Sequence, residues 1–267
     1  MDLQWACSPC PNDTFTFFGM ASKRVALPGH AITLHLHDIE TLNQLALRSH
    51  YAITKLSFHT WLLLGNRYRL LSAGNALGYG CGPVLVSRRP VRQEELPDLR
   101  IVLPGEHTTA HLLFRLYCPA ATRRTFTTYD QIFPEILAGH ADCGVVIHEG
   151  RFLYEQAGLH KVCDLGQWWE ETTGAPIPLG AMAVRSDLPP EMDELLANLV
   201  RQSLQLSRSE PGLAMPYVRQ MAIELDEAVL EKQIELFVND FTLDLGDPGR
   251  RAVDKLRELA CAAGIVT

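Results

Sequence analysis

The sequence predicts an α/β protein of two lobes joined by a double crossover, with a ligand cleft between the lobes. Three observations predict it. Short apolar runs rich in β-branched residues alternate with helical patterns through the first two thirds of the chain, the alternation that builds sheets covered by helices. Residues 74–82, with four glycines and then Pro83, lead into the run Val84–Ser87, and residues 176–185 have the same proline, glycine and apolar character, so two extended segments bracket the middle of the chain. Residues 45–57 and 136–147 share one layout: a helix end, a histidine (His50, His140), a strand, and a polar group at or just past the strand end. These features put residues 1–88 and 180–267 in one discontinuous lobe and 89–179 in the other.

In chain order, residues 3–6 form a short strand that runs into Ser8-Pro9-Cys10-Pro11-Asn12-Asp13-Thr14. Two prolines and an Asn-Asp pair make a rigid turn there, in which Asp13 or Thr14 caps a helix beginning near Phe15. Asn12 is a candidate ligand contact, because this loop follows the carboxyl end of the first strand. Ile32, Leu34 and Leu36 alternate with polar residues as a half-buried strand, and Asp38 caps a helix with Leu42, Leu45 and Ala46 on one face. The next strand ends at Ser57, before an apolar helix around residues 61–64. Lys55, in the middle of that strand, has two readings: a buried, paired cation or anion contact, and an outward-facing side chain on an edge strand.

The second lobe opens with a strand and turn over residues 100–105, followed by a helix whose Leu112, Leu113, Leu116 and Tyr117 share a face. Thr108 and Thr109 lie at its start, where hydroxyls and unpaired N–H groups attract anions, carboxylates included. Thr128 and Gln131 have capping-box spacing for a helix that breaks at Gly139, with Pro134 disturbing its register. Residues 144–147 are a buried parallel strand, and His148 sits at its carboxyl end. Ligands bind at that edge of open α/β sheets, and an imidazole titrating near pH ~6.5 exchanges protons there. His148 is therefore the candidate general base; the alternative is a histidine that merely ends a strand. Beyond residue 186 the chain is helical, with apolar faces at Leu195, Leu196, Leu199, Val200 and Leu204, then Leu230, Ile234 and Phe237, and a last helix capped by Asp247 and Pro248.

Composition excludes several classes. The 267 residues are 47% hydrophobic and 21% charged, ordinary globular values, and the net charge is -7. Lysine and arginine cluster no further than pairs such as Arg88-Arg89, Arg123-Arg124 and Arg250-Arg251, so no basic face for nucleic acid is expected. The opening Met-Asp-Leu-Gln-Trp lacks the basic and apolar regions of a signal peptide, and no apolar run is long enough to insert in a membrane. Seven scattered cysteines suit a reducing compartment. Cys7 and Cys10 have suggestive spacing, but no second ligand pair follows, and His107 and His111 lack the glutamate of a zinc-protease motif, Thr108 standing in its place. The expectation is a cytoplasmic protein, monomer or homodimer, that binds a small carboxylate and uses no metal or other cofactor.

Ser8-Pro9-Cys10-Pro11-Asn12-Asp13-Thr14-Phe15, Glu40-Thr41-Leu42-Asn43, Thr54-Lys55-Leu56-Ser57-Phe58-His59, Thr108-Thr109-Ala110, Ile147-His148-Glu149-Gly150-Arg151-Phe152 and Asp244-Leu245-Gly246, in this order, closely resemble the 1,4-dihydroxy-6-naphthoate synthase family of the futalosine route to menaquinone. The resemblance spans nearly the whole chain. It implies a type II periplasmic-binding-protein fold without a secretion signal, and a lyase releasing 1,4-dihydroxy-6-naphthoate from cyclic dehypoxanthinyl futalosine. His148 matches the family's proposed base, and Ser57, Thr109 and Ala110 match ligand-contacting positions. Gln233 departs from the pattern, which has a histidine there, and is expected on the surface of the carboxyl-terminal helices. Two rivals are chorismate dehydratase, of the same route and fold, and a non-catalytic cytoplasmic protein that binds small anions.

Overall fold

The computed structural model describes residues 2–222 and 226–266; Met1 and Thr267, the ends of the predicted first lobe, lie outside them, as do residues 223–225. The strands are β1 (Asp2–Cys7), β2 (Ala31–Leu36), β3 (Ile53–Ser57), β4 (Tyr68–Leu70), β5 (Ala76–Gly78), β6 (Val84–Ser87), β7 (Ile101–Leu103), β8 (Arg124–Phe126), β9 (Cys143–Val146), β10 (His160–Asp164) and β11 (Ile177–Arg185). They form two sheets. The first has the order β2-β1-β3-β11-β4, with β5 pairing β11, and the second has the order β10-β6-β9-β7-β8.

This pairing moves both expected lobe boundaries. Val84–Ser87 pairs with β9 and β10, so β6 belongs to the second sheet and the first crossover falls at residues 79–83, ahead of residue 88. Ile177 and Pro178 already pair with β5, so the return falls before residue 180. Hydrogen bonding outranks the proline and glycine signals here, because a strand belongs to the sheet that satisfies its backbone. β9 is parallel to β7 but antiparallel to β6, so the strand before His148 sits in a mixed sheet and not an all-parallel one.

The helices on the first third of the chain are α1 (Pro11–Ala21), α2 (Ile39–Leu47) and α3 (Phe58–Leu64). α1 begins four residues earlier than expected. Proline at its first position is pre-set for helix and has no N–H to satisfy, and extended Cys10 takes the cap position, leaving Asp13 inside the first turn. α2 starts as expected, the Asp38 carboxylate accepting from the N–H groups of Glu40 and Thr41. The middle third carries α4 (Thr109–Tyr117), α5 (Ile132–Leu137), α6 (Gly150–Leu153) and α7 (Leu165–Thr173). The expected capping box at Thr128 does not form: a 3-10 turn over Tyr129–Gln131 precedes α5, with no side-chain cap. Pro134 supplies the physical reason, since it removes a backbone donor and constrains Phe133 before it.

The last third holds α8 (Met192–Ser209), α9 (Pro211–Met221), α10 (Glu227–Phe237), α11 (Asp240–Leu243) and α12 (Gly246–Ala262). α9 and α11 were not legible as apolar stripes, and α12 starts at Gly246 with Leu245 as its cap residue, so Asp247 lies in its first turn instead. α8 packs on α1 against the first sheet, where Trp5, Phe17, Ile53, Met182, Leu196 and Val200 are buried together. A second core is continuous between the two sheets: Leu56 and Phe58 of the first meet Leu112, Phe114 and Val145 of the second. Gln233 is wholly buried in α10 and not on a surface, and its amide nitrogen and oxygen find no hydrogen-bond partner among the described residues.

Candidate active site

A cleft runs between the carboxyl ends of β1 and β3 on one side and β9 and the start of α4 on the other, enclosing about 670 Å3 of empty space with its open mouth included. All seven residues expected at the site, Asn12, Lys55, Ser57, Thr108, Thr109, Ala110 and His148, line it. So do Ser8, Asp13, Ile39, Leu179, Gly180 and Phe237, which the sequence reading did not select.

The first-sheet wall is built around a buried ion pair. β3 is central, between β1 and β11, so Lys55 cannot face solvent and the edge-strand reading fails. Its ammonium lies 2.9 Å from the Asp13 carboxylate and donates to the Gly74 carbonyl at 2.7 Å. Asp13 also accepts from the Ser8 hydroxyl at 2.7 Å, the Ser8 N–H at 3.2 Å and the Asn12 amide at 3.0 Å. A buried carboxylate with four donors is a compensated charge, which is what makes a mid-strand lysine tolerable. One signal could have found Asp13: a lysine in a central strand demands an acid, and the loop after the neighbouring parallel strand β1 holds one. Ser57 is held by Asn43, whose amide oxygen accepts from the Ser57 N–H at 2.8 Å and whose nitrogen donates to the hydroxyl at 3.0 Å.

On the facing side, Thr108 caps α4, its hydroxyl accepting from the His111 N–H and donating to the Gly105 carbonyl. The Thr109 hydroxyl donates to the Leu179 carbonyl at 2.7 Å and accepts from the His59 N–H at 3.3 Å. Both hydroxyls are thus engaged within the protein. What the α4 terminus offers an anion is the N–H groups of Thr109 and Ala110, which have no carbonyl partner within their own helix. This terminus is fastened to elements of the first sheet: Glu40 accepts from the His107 N–H at 3.1 Å and pairs with its Nδ1 at 2.8 Å, and the Thr60 hydroxyl donates to the His107 carbonyl at 2.9 Å. His111, for its part, sets Nδ1 on the Glu106 carbonyl and Nε2 against Arg124, so the two histidines do not converge.

His148 follows β9 in a left-handed backbone conformation, φ 53°, which few non-glycine residues adopt and which it shares with Lys23 and Ser49. Its Nε2 lies 3.7 Å from the Cys10 sulfur, and the Tyr129 ring packs edge-on with centroids 4.9 Å apart. Although part of its surface opens to the cleft, the ring sits deep among protein atoms, and the lost hydration of the imidazolium pushes its pKa down to about 4; Asp13 opposes that shift and Lys55 adds to it. Asp13, not Glu149, is the carboxylate that favours the protonated ring. The imidazole is consequently neutral throughout the neutral pH range and free to accept a proton. Burial raises the thiols of Cys7 and Cys10, so both stay protonated.

Chemically, the cleft sets a neutral imidazole and a helix terminus on one side and a buried cation on the other, an arrangement suited to binding an anion and moving a proton. Among the described residues no helix is long and apolar enough to cross a membrane.

Comparison with known proteins agrees with this architecture. The alkanesulfonate-binding protein SsuA of Xanthomonas axonopodis, a periplasmic-binding-protein fold, superposes with TM-score 0.72 at 12% identity, covering 100% of this chain and 94% of that one. A crystal structure of a protein from Archaeoglobus fulgidus superposes with TM-score 0.93 at 34% identity, over 99% of this chain and 98% of that one. Two proteins named 1,4-dihydroxy-6-naphthoate synthase are similar along their lengths: that of Thermus thermophilus is 41% identical over 98% of this chain and 95% of its own, and that of Streptomyces coelicolor 40% identical over 99% and 94%. A family profile described as menaquinone biosynthesis matches residues 3–262. With that match over nearly its whole length and relatives of this identity, the chain belongs to the menaquinone-biosynthesis family that includes the 1,4-dihydroxy-6-naphthoate synthases.

Proposed function

We propose that this chain is a cytoplasmic carbon–carbon lyase that converts cyclic dehypoxanthinyl futalosine to 1,4-dihydroxy-6-naphthoate, with His148 as general base. The observation that carries the reading is the convergence, in one cleft of a chain 40–41% identical to two synthases of that name, of a strained, neutral histidine with a buried lysine and an unpaired helix terminus. His148 removes a proton from the sugar-derived part of the substrate, carbon–carbon cleavage follows, and aromatisation of the product ring drives the reaction. Lys55 and the N–H groups of Thr109 and Ala110 hold the substrate carboxylate or a developing oxyanion, while Asn12, Ser57 and Thr108 shape the polar wall around it. A positioned base supplies about 10²–10⁴-fold. Orientation and preorganised donors supply the rest.

Incubating the purified protein separately with the cyclic futalosine derivative and with chorismate tests the reading. Release of 1,4-dihydroxy-6-naphthoate from the first alone is expected. Dehydration of chorismate would make it a dehydratase, and binding of either compound without turnover would make it an anion-binding protein.

A further inference from the structure

Cys10 belongs to α1 on the first-sheet side of the cleft and His148 to the turn after β9 on the other. Their side chains meet across it, sulfur to Nε2, at 3.7 Å. Cys10 is buried, and its position is fixed by its place as the cap residue of α1, whose first turn is locked by Pro11 and by Thr14 donating to the Cys10 carbonyl at 3.1 Å. The Tyr129 ring packs edge-on against the imidazole, centroids 4.9 Å apart. An imidazole has two nitrogens, and a base needs the lone pair on the one that faces substrate, with the proton on the other. Nε2 is against the sulfur. Nδ1 is therefore the nitrogen left for the substrate.

We propose that Cys10 is a positioning residue for the general base: its sulfur accepts from Nε2–H of His148, which leaves the Nδ1 lone pair directed to the substrate. In turnover the substrate proton passes to Nδ1, and the resulting imidazolium keeps its Nε2–H on the sulfur, so the thiol itself gains and loses nothing. Neighbouring groups fit this division of labour. Burial keeps the thiol protonated, and a neutral sulfur does not compete with Nδ1 for the incoming proton. Asp13 and Lys55 bear on the ring with opposite charge, Tyr129 packs against it as a neutral phenol raised by burial, and Glu149 adjoins it in the chain. The cysteine spacing at residues 7 and 10, both free thiols, thereby finds a use for its second member. The role extends the assignment of His148 as base and rests on it.

The test reads the proton's location as well as the rate. Protein labelled with 15N-histidine is examined by long-range 1H–15N NMR near neutral pH, the His148 signals being those that vanish in His148→Asn. The Nε2–H form is expected in the wild type and a mixture of tautomers in Cys10→Ala. The same Cys10→Ala variant should lose about tenfold in kcat with KM unchanged, less than the ~10⁴ that a wrong tautomer costs a Ser-His-Asp triad, because sulfur is a weak partner. Cys10→Ser, which keeps an acceptor, should restore most of that rate, which a simple packing defect would not predict. A wild-type His148 carrying its proton on Nδ1 would overturn the proposal. So would an inactive His148→Asn alongside a Cys10→Ala enzyme of unchanged kcat and tautomer, an outcome that leaves the base assignment standing, whereas full turnover by His148→Asn removes both.

Discussion

The start of α4 and the turn at His148 both face the cleft from the second sheet, yet they are held in opposite ways. Residues 107–109 are tied by hydrogen bonds to Glu40, His59, Thr60 and Leu179, all on first-sheet elements; the Thr109 hydroxyl is used up in that fastening, and the Thr108 hydroxyl in capping α4. His148 meets the first-sheet side through a long contact to the Cys10 sulfur and through the charges of Asp13 and Lys55, and its backbone is strained. The lesson is that the hydrogen bonds do not follow the sheet boundary: the α4 terminus, though it belongs to the second lobe, is fastened to first-sheet elements as an anion-binding wall, while His148 meets the first-sheet side at the Cys10 sulfur.

The sharpest test separates chemistry from fold at the strained turn. His148→Asn should keep the structure, because asparagine tolerates the left-handed conformation, and should lower kcat by about 10²–10⁴ with ligand affinity nearly intact. Steady-state kinetics and a binding titration on the same preparation check it. Wild-type turnover would remove the base assignment.

On the fixed wall the largest effect should fall on stability. Lys55→Met leaves the Asp13 carboxylate buried without its cation, at a cost of about 3–5 kcal/mol in denaturant unfolding, while Lys55→Met combined with Asp13→Leu should recover most of that loss and none of the activity. A double variant no more stable than the single one would mean that the ion pair is not the unit holding this wall.

Acid should affect both regions. His59 and His111, buried beside the α4 terminus, and His148 in its turn are all pushed down to about 4 by desolvation. Each binds fewer protons folded than unfolded, where the pKa is ~6.5. Their contribution is therefore complete above pH ~6.5 and is lost as pH falls toward 4. Unfolding titrations between pH 7 and 4 should show that slope. Over the same interval kcat/KM should rise through an ionisation near 4 and then stay level, since only neutral His148 accepts a proton. A rise centred near 7 would mean that the ring is not desolvated in the working enzyme. The smallest effect belongs to Thr108→Ala, which removes the α4 cap and should cost ~1 kcal/mol while leaving the Thr109 and Ala110 N–H groups in place.

Much of the cleft was legible one strand end at a time. Ser57 and His148 were found because an apolar strand that stops at a polar group announces its carboxyl end, and Asp38 and Thr108 because a helix start has a chemical signature. Asp13 was read as a cap and Gln233 as a surface residue, since local sequence cannot report which donors arrive from forty or more residues away. Cys10 was set aside because no second ligand pair follows its spacing with Cys7, its contact with His148 lying in the other half of the molecule.

By itself the sequence determined the α/β class, the succession of strands and helices, and which short motifs end at the cleft, because periodicity, caps and turn residues act over a few positions. Tertiary structure decided that β6 joins the second sheet, that Lys55 is paired with Asp13, that the threonine hydroxyls at α4 are occupied, and that His148 rests on sulfur. Each of those depends on which distant donor meets which acceptor once water is excluded, and that is settled only when the two sheets close around a shared core.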